Sequence, residues 1–274
     1  MIDGEKIELL REKARIIREK IIKMTHAAGS GHPGGSLSCV EIMVALYFHE
    51  MRHDPRKPLW GERDRFILSK GHAAPTLYAI LGCAGYNQGD DLMSLRKFGS
   101  PFQGHPDKNR VAGVDVSTGS LGQGLSISNG IAIALRLNKK KSNVYVLLGD
   151  GECNEGEIWE AAMFAPHYKI DNLVAIVDRN GLQIDGPTER VLSLEPLAKK
   201  FKSFGWHVVE IDGYDFREII EAFEEAKRVK NKPTIIIAYT VKGRGVSFME
   251  WSEKFHGSVT DEEQTKIAVN ELKE

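Results

Sequence analysis

Apolar residues Ile7, Leu10, Ala14, Ile17 and Ile21 recur at spacings of three and four, the period of an amphipathic helix, and predict one over residues 3–28. Gly29-Ser30-Gly31-His32-Pro33-Gly34-Gly35 ends it, because glycine and proline together disfavour further helix. A second helix is expected over about Ser38–Glu50, stopping before the turn-rich Asp54-Pro55-Arg56-Lys57-Pro58. Arg65–Leu68 reads as a short strand running into Ser69-Lys70-Gly71-His72, and Ala74–Cys83 as a helix. Residues 84–120 are loop-rich, with Gly85, Gly89, Gly99, Gly104, Gly113 and Gly119. A loop region of that length inside a compact domain is usually functional.

From there the pattern alternates. Leu121–Leu137 reads as a helix of small residues, Val144–Leu148 as a fully apolar strand, and about Glu155–His167 as a helix. Strands over Leu173–Val177, His207–Ile211 and Thr234–Ala238 are interleaved with helices near 195–203 and over Phe216–Val229. Continuous apolar strands alternating with helices predict an α/β fold, a mostly parallel sheet with helices on both faces. No internal repeat, low-complexity stretch or linker precedes about residue 240, so residues 1–274 are expected to form a single domain with a partly irregular C-terminal tail.

Composition narrows the classes. With 37 basic against 38 acidic residues the formal net charge is -1, which argues against a nucleic-acid partner held by charge. No run of about 18 apolar residues is present, so no membrane span is expected, and the charged start MIDGEKIELLREKARIIREK does not read as a secretory signal. Cys39, Cys83 and Cys153, odd in number and widely spaced, suit reduced thiols in a cytoplasmic protein better than a disulfide framework or a zinc site.

Ligands of open parallel sheets bind beyond the carboxyl ends of the strands, and two strands here run into polar motifs: Gly149-Asp150-Gly151 and Asp178-Arg179-Asn180-Gly181. One reading of the first is an ordinary turn with Asp150 as a helix cap. The other is a divalent metal holding a diphosphate, with Asp150 giving a carboxylate, Asn180 an amide oxygen and a nearby main-chain carbonyl a third ligand. The glycines and the helix N-terminus that follows would favour an approaching anion. Four of the 9 histidines, His32, His72, His105 and His256, sit beside glycine in loops rather than on apolar helix faces. Neutral imidazole relays protons near pH 7 and its N–H groups hold sugar hydroxyls or phosphate. His26, His49, His53, His167 and His207 read as surface or packing residues, and Cys153 as a packed thiol.

Taken in order, Ser30-Gly31-His32-Pro33-Gly34-Gly35, Asp64-Arg65-Phe66-Ile67-Leu68-Ser69-Lys70-Gly71-His72, Gly104-His105-Pro106-Asp107, Ser117-Thr118-Gly119-Ser120-Leu121-Gly122-Gln123-Gly124, Gly149-Asp150-Gly151, the run from Asp178 to Gly186 and Phe204-Gly205-Trp206-His207 resemble the N-terminal, diphosphate-binding half of transketolase. The resemblance implies that Asp150 and Asn180 bind magnesium (or calcium or manganese) through side chains and Leu182 through its carbonyl. It implies that Gly149, Gly151, His72 and His256 contact thiamine diphosphate, that Gly119, Ser120 and Leu121 surround its aminopyrimidine, and that Ile184 and Glu155 belong to the cofactor site. Ser120 stands where many relatives have proline. Glu155 and Glu160 resemble acidic residues linking two active sites across a dimer. His32 and His105 would line the channel for sugar-phosphate substrates. The implied reaction is transfer of a two-carbon ketol unit from a ketose phosphate to an aldose phosphate, as in the pentose phosphate pathway.

Full-length members of that family carry a pyrimidine-binding domain and a C-terminal domain beyond this one, and this chain ends just after the His256 loop. The expectation is a split enzyme, active only with a separate C-terminal subunit, in an α2β2 assembly; a cloned fragment is the competing explanation. A deoxyxylulose-phosphate synthase-like enzyme, another ketol transferase or a non-catalytic module on the same scaffold are the alternatives. The Ser117–Gly124 and Phe204–His207 motifs favour transketolase, and two-oxo-acid dehydrogenase subunits fit poorly. The Glu152-Cys153-Asn154 stretch is expected to touch none of the ligands.

Overall fold

The computed structural model describes residues 3–87 and 91–273; Gly89 and Glu274 lie outside the described residues. Helix α1 (Gly4–Ala28) buries Ile7, Leu10, Ala14, Ile17 and Ile21, the stripe read from the spacing, and closes on Gly29 in the left-handed conformation. The following motif does not stay irregular. Pro33 opens helix α2 (Pro33–Leu37), since a first helical position needs no N–H to donate and proline has none. Helix α3 (Val40–Ala45) then runs into a π-helical turn over Leu46–Glu50. The helix expected over Ser38–Glu50 therefore begins at Val40, two residues late, and changes to π-helical geometry at Leu46.

Strand β1 (Arg65–Leu68) and helix α4 (Ala74–Ala84) precede the long loop, and helix α5 (Gln123–Leu137) follows it. Helix α5 starts two residues later than the spacing suggested, because Gly122, with φ +89, turns the chain just before it. Strand β2 (Val144–Gly149), helix α6 (Gly156–His167) and strand β3 (Leu173–Arg179) come next. A two-residue hairpin, β4 (Leu182–Gln183) with β5 (Gly186–Pro187), and helix α7 (Thr188–Val191) fold over the end of β3. Helix α8 (Leu197–Phe204), strand β6 (His207–Asp212), helix α9 (Phe216–Arg228) and strand β7 (Thr234–Tyr239) complete the alternation. Past residue 240 the chain is more ordered than expected: α10 (Glu262–Glu271) is opened by a capping box between Asp261 and Gln264.

The five main strands are all parallel, in the order β1-β2-β3-β7-β6. Their side chains alternate between two apolar layers. Phe66, Leu68, Tyr145, Leu147, Val174, Ile176, Ile236 and Ala238 pack with α1, α3, α4 and α9. Ile67, Val144, Val146, Leu148, Leu173, Ala175, Val177, Ile235 and Ile237 pack with α5, α6 and α8. The central strands β2, β3 and β7 thus feed both faces, which is why their sequences are mostly apolar, whereas the edge strand β6, HVVEID, is largely not buried.

Outside the sheet, Arg18 of α1 donates to Glu41 of α3 at 2.6 Å and to the carbonyl of Arg244 at 3.2 Å, with both side chains buried. The pair joins the N-terminal layer to the tail. Removing one member strands a buried charge and costs about 3–5 kcal/mol, whereas an apolar pair of similar volume is near neutral. In urea unfolding, Arg18→Met is expected to lose stability in that range and the double change with Glu41→Leu to recover most of it; equal losses in both would contradict this account of the pair.

Candidate active site

Four neighbouring strands deliver polar residues to one edge of the sheet. Ser69, Lys70 and His72 follow β1, and Asp150, Gly151 and Glu152 follow β2. Asp178, Arg179 and Asn180 end and follow β3, and Thr240 and Lys242 follow β7. The parallel register, which sets Gly149 opposite Asp178 and Asp178 opposite Ala238, brings these groups level with one another. Above them opens a cavity of about 520 Å³, lined by His72, Leu121, Asp150, Asn180, Lys242 and His256 among others.

The expected site residues converge there: His72, Leu121, Gly149, Asp150, Gly151, Glu155, Asn180, Leu182, Ile184 and His256 all face the cavity. His32 joins through its ring, with centroids 5.4 Å from His72 and 5.5 Å from His256. His105 is further out, 6.4 Å from His32, beside Gly119. Ser120 is exposed and does not line the cavity, and Ile184 and Glu155 stand at its exposed rim. His26, His53 and His207 have local partners, the Thr260 carbonyl, the Tyr47 carbonyl with the Tyr86 hydroxyl, and Glu225.

Asp150 is buried. Its Oδ1 accepts the Gly151 N–H at 2.7 Å, and its Oδ2 accepts the Gly181 N–H at 2.6 Å and Arg179 at 3.2 Å. The capping geometry read as an alternative to metal binding is therefore present, yet Oδ1 keeps a free lone pair. The turn it caps is a short 3-10 stretch over Gly151–Asn154, and α6 begins at Gly156, next to the expected Glu155, so Asp150 caps the turn and not the helix. Burial and the nearby Asp178 push the Asp150 carboxyl above its usual range, a charge that an added cation would relieve. Asn180 turns its amide nitrogen to Asp178 at 3.1 Å, and its oxygen accepts the Leu182 N–H at 3.2 Å.

Several contributors went unread in the sequence. Lys70 is buried beneath the cavity, bonded to Asp178 and to the Gly35 carbonyl at 2.8 Å. Burial opposes its charge, Asp178 outweighs that cost, and the ammonium is held above its usual range. Lys242 lies 2.9 Å from the Leu182 carbonyl oxygen and 2.8 Å from His256 Nδ1; burial and the Lys70 charge bring it down to about 8. Glu152, not counted among the ligands, accepts the Gly149 N–H and the Gly122 N–H, each at 2.9 Å, and the Ser69 hydroxyl. It ties the Gly-Asp-Gly turn to the Ser117–Gly124 loop. The available signal was a charged residue at or shortly past the end of a buried strand, as at Lys70, Glu152 and Asp178.

Burial holds the histidines neutral. His32 is brought to about 4 by burial and Arg96, His256 to about 3 by burial and Lys242, and His72 well below its ordinary value by burial and Lys70. The cavity therefore presents two lysines and neutral imidazoles, with Asp150 and Glu152 as its buried carboxylates and Glu155 and Asp185 further out.

A metal diphosphate fits these groups. Asp150, Asn180 and the Leu182 carbonyl are hard oxygen donors, and among the described residues no group of three His, Cys, Asp or Glu converges on a point. One carboxylate with neutral oxygens suits an ion that takes its remaining ligands from phosphate. Gln183 Oε1 is buried without a partner among the described residues, and a Cβ placed on Gly151 would come within 3.0 Å of it, so only glycine leaves the turn open.

Oxygen donors, paired lysines and an open glycine turn at the carboxyl edge of a parallel sheet are the groups expected of an α/β diphosphate-binding protein. Residues 10–273 match the family described as "Transketolase, thiamine diphosphate binding domain", and the chain belongs to that family. It is 46% identical over 263 residues to the 6-deoxy-6-sulfo-D-fructose transketolase subunit SqwG of Clostridium sp. (strain MSTE9), covering 96% of each chain. It is 44% identical to an apulose-4-phosphate transketolase subunit from Phocaeicola vulgatus, covering 98% of this chain and 95% of that one. It is also 44% identical to human transketolase but spans only 43% of that protein's length. The fold superposes on transketolase from Campylobacter jejuni with a TM-score of 0.92 at 35% identity, over 97% of this chain and 43% of the other.

The Glu152 tie and the neutral histidines can each be tested by unfolding. Replacing Glu152 by Gln puts an N–H donor against a backbone N–H donor, and urea unfolding is expected to show a loss of about 1–3 kcal/mol; an unchanged midpoint would show that Glu152 is no tie. Histidines whose folded values lie below their ordinary 6.5 bind fewer protons folded than unfolded, so they withdraw stability as pH falls from about 6.5 towards 4. The urea midpoint is expected to drop over that window and His256→Gln to flatten the drop; a slope identical in both proteins rules this out.

Proposed function

We propose that this chain is the metal- and diphosphate-binding subunit of a split transketolase, completed by a separate subunit that carries the pyrimidine-binding and C-terminal domains. The observation that carries the reading is the convergence of Asp150, Asn180, Leu182, Lys242, His72 and His256 on one cavity. The subunit assignment is supported by the two relatives named as transketolase subunits, which this chain matches over 95% and 96% of their lengths. Residues 1–274 act in this reading as one domain, assembled with the partner as α2β2 in the cytoplasm. The three free cysteines suit that compartment, and no described helix is long and apolar enough to cross a membrane.

Asp150, Asn180 and the Leu182 carbonyl hold Mg2+ in this account, with Gly149, Gly151, His72, His256 and Lys242 around the diphosphate. Gly119, Ser120 and Leu121 offer backbone groups to the aminopyrimidine, and Ile184 supports the rest of the cofactor. Glu155 and Glu160, both exposed, are free to meet another protomer. Thiamine diphosphate, when bound, supplies the electron sink for breaking a carbon–carbon bond beside a carbonyl. The chain's own part is positioning and charge: Lys242 balances phosphate, and the imidazoles, neutral at pH 7, hydrogen-bond sugar oxygens without adding charge. His32 and His105 lie on the sugar side. The reaction is transfer of a two-carbon ketol unit from a ketose phosphate to an aldose phosphate. The relatives' names specify a sulfonated fructose and apulose 4-phosphate, so the acceptor and donor are set largely by residues beyond the shared scaffold.

The test is ketol transfer by this chain alone and with the candidate partner, Mg2+ and thiamine diphosphate. Activity is expected only in the mixture, and Asp150→Ala in the mixture is expected to lower Mg2+-dependent cofactor affinity on the order of 100-fold. Full activity without a partner sinks the split assignment, and unchanged affinity in the variant removes the metal assignment.

A further inference from the structure

At the sugar side of the cavity, Arg96 reaches His32. Its Nη2 lies 3.3 Å from His32 Nδ1, and its Nη1 donates to Ser30 Oγ at 2.9 Å. Arg96 is held in place by its backbone. It sits at φ +60, a left-handed conformation unusual for a residue with a side chain. Its N–H donates to the Phe102 carbonyl at 2.7 Å, and a Cβ on Gly104 would come within 2.8 Å of the guanidinium carbon. Gly104 thus leaves room for the guanidinium beside His105. Backbone strain of this kind persists where the surroundings over-determine it, and such places are often functional.

A guanidinium has five donors and no acceptor, so in this contact His32 Nδ1 accepts. A neutral imidazole carries one ring proton, which must then reside on Nε2. Burial together with the Arg96 charge keeps His32 neutral well below pH 7. The bond from Arg96 is the ring's one hydrogen bond among the described residues, so Nε2 is left unpaired beside His72 and His256. His256 repeats the arrangement, with Lys242 at 2.8 Å from its Nδ1. On both rings a cation faces Nδ1.

We propose that Arg96 is a positioning residue that fixes His32 as its Nε2–H tautomer, so that this histidine offers sugar oxygens a hydrogen-bond donor and no Nε2 lone pair. The sugar-facing part rests on the function proposed above; the tautomer does not. A donor of this kind stabilises oxygen atoms that gain negative charge and cannot remove a proton through Nε2.

The full chain labelled with 15N-histidine separates the two. Long-range 1H–15N correlation, with His32 assigned from a His32→Gln variant, is expected to show neutral His32 protonated on Nε2. Arg96→Met is expected to give a mixture of tautomers, and Arg96→Lys, which keeps a donor-only cation, to restore the Nε2–H form in part. In the chain assembled with its partner, Arg96→Met is expected to raise KM for the ketose about 5–10-fold, with Arg96→Lys in between. An Nδ1–H tautomer in the unchanged protein, or an identical spectrum in Arg96→Met, overturns the positioning role. A tautomer change with no change in KM overturns the donor role towards sugar and leaves the cofactor assignment standing.

Discussion

Beneath the cavity, the ammonium of Lys70 and the carboxylate of Asp178 meet in a place water does not reach, and most of the site hangs on that contact. Removing two charges from water costs several kcal/mol each, so such a pair survives only if every remaining lone pair and proton is used. Here they are. Asp178 also accepts from Ser38 at 2.6 Å, from Thr240 and from the Asn180 amide, and Lys70 donates to the Gly35 carbonyl. One carboxylate therefore fastens the ends of β1, β3 and β7 and the helix α2 that follows the His32 loop. Burial would raise the Asp178 carboxyl, but Lys70 and the hydroxyl donors hold it below its usual range, so it stays an acceptor on every side.

The orientation of Asn180 follows from this. Because Asp178 can only accept, the Asn180 NH2 must turn to it and the amide oxygen turns away, where it accepts the Leu182 N–H. The charge balance of the cavity follows in the same way. Lys70 is neutralised by Asp178 and Asp150 by Arg179, which leaves Lys242 among neutral histidines. A cavity so arranged is suited to an anion that arrives with its own divalent cation, since the anion answers Lys242 and the cation answers the buried Asp150.

The apolar strands made the sheet and its two covered faces legible from sequence, because the central strands β2, β3 and β7 are buried on both sides and must be mostly apolar. Asp150, Asn180 and the glycine-loop histidines were legible for a related reason: they end such strands or sit where no packing role explains them. Pro33 misled, since the same residue that stops one helix can open the next. Lys70, Glu152 and Asp178 carry the site largely through partners that lie far away in sequence, Lys70 with Asp178 and Glu152 with Ser69 and Gly122. Tertiary pairing decides such residues, and a pattern along the chain does not contain it. Arg96 was hidden for another reason, because its role depends on a left-handed backbone turn in the long loop.

The central claim is that one metal ion and one diphosphate share the edge formed by Asp150 and Asn180. Replacing Mg2+ with Mn2+ makes that edge visible to pulsed electron–nuclear double resonance. With thiamine diphosphate added to the chain and its partner, the spectrum is expected to show 31P couplings from phosphate oxygens bound to the metal, lost when Asp150 and Asn180 are both replaced by Ala. Bound Mn2+ without 31P coupling, or the same coupling in the double variant, would contradict the account.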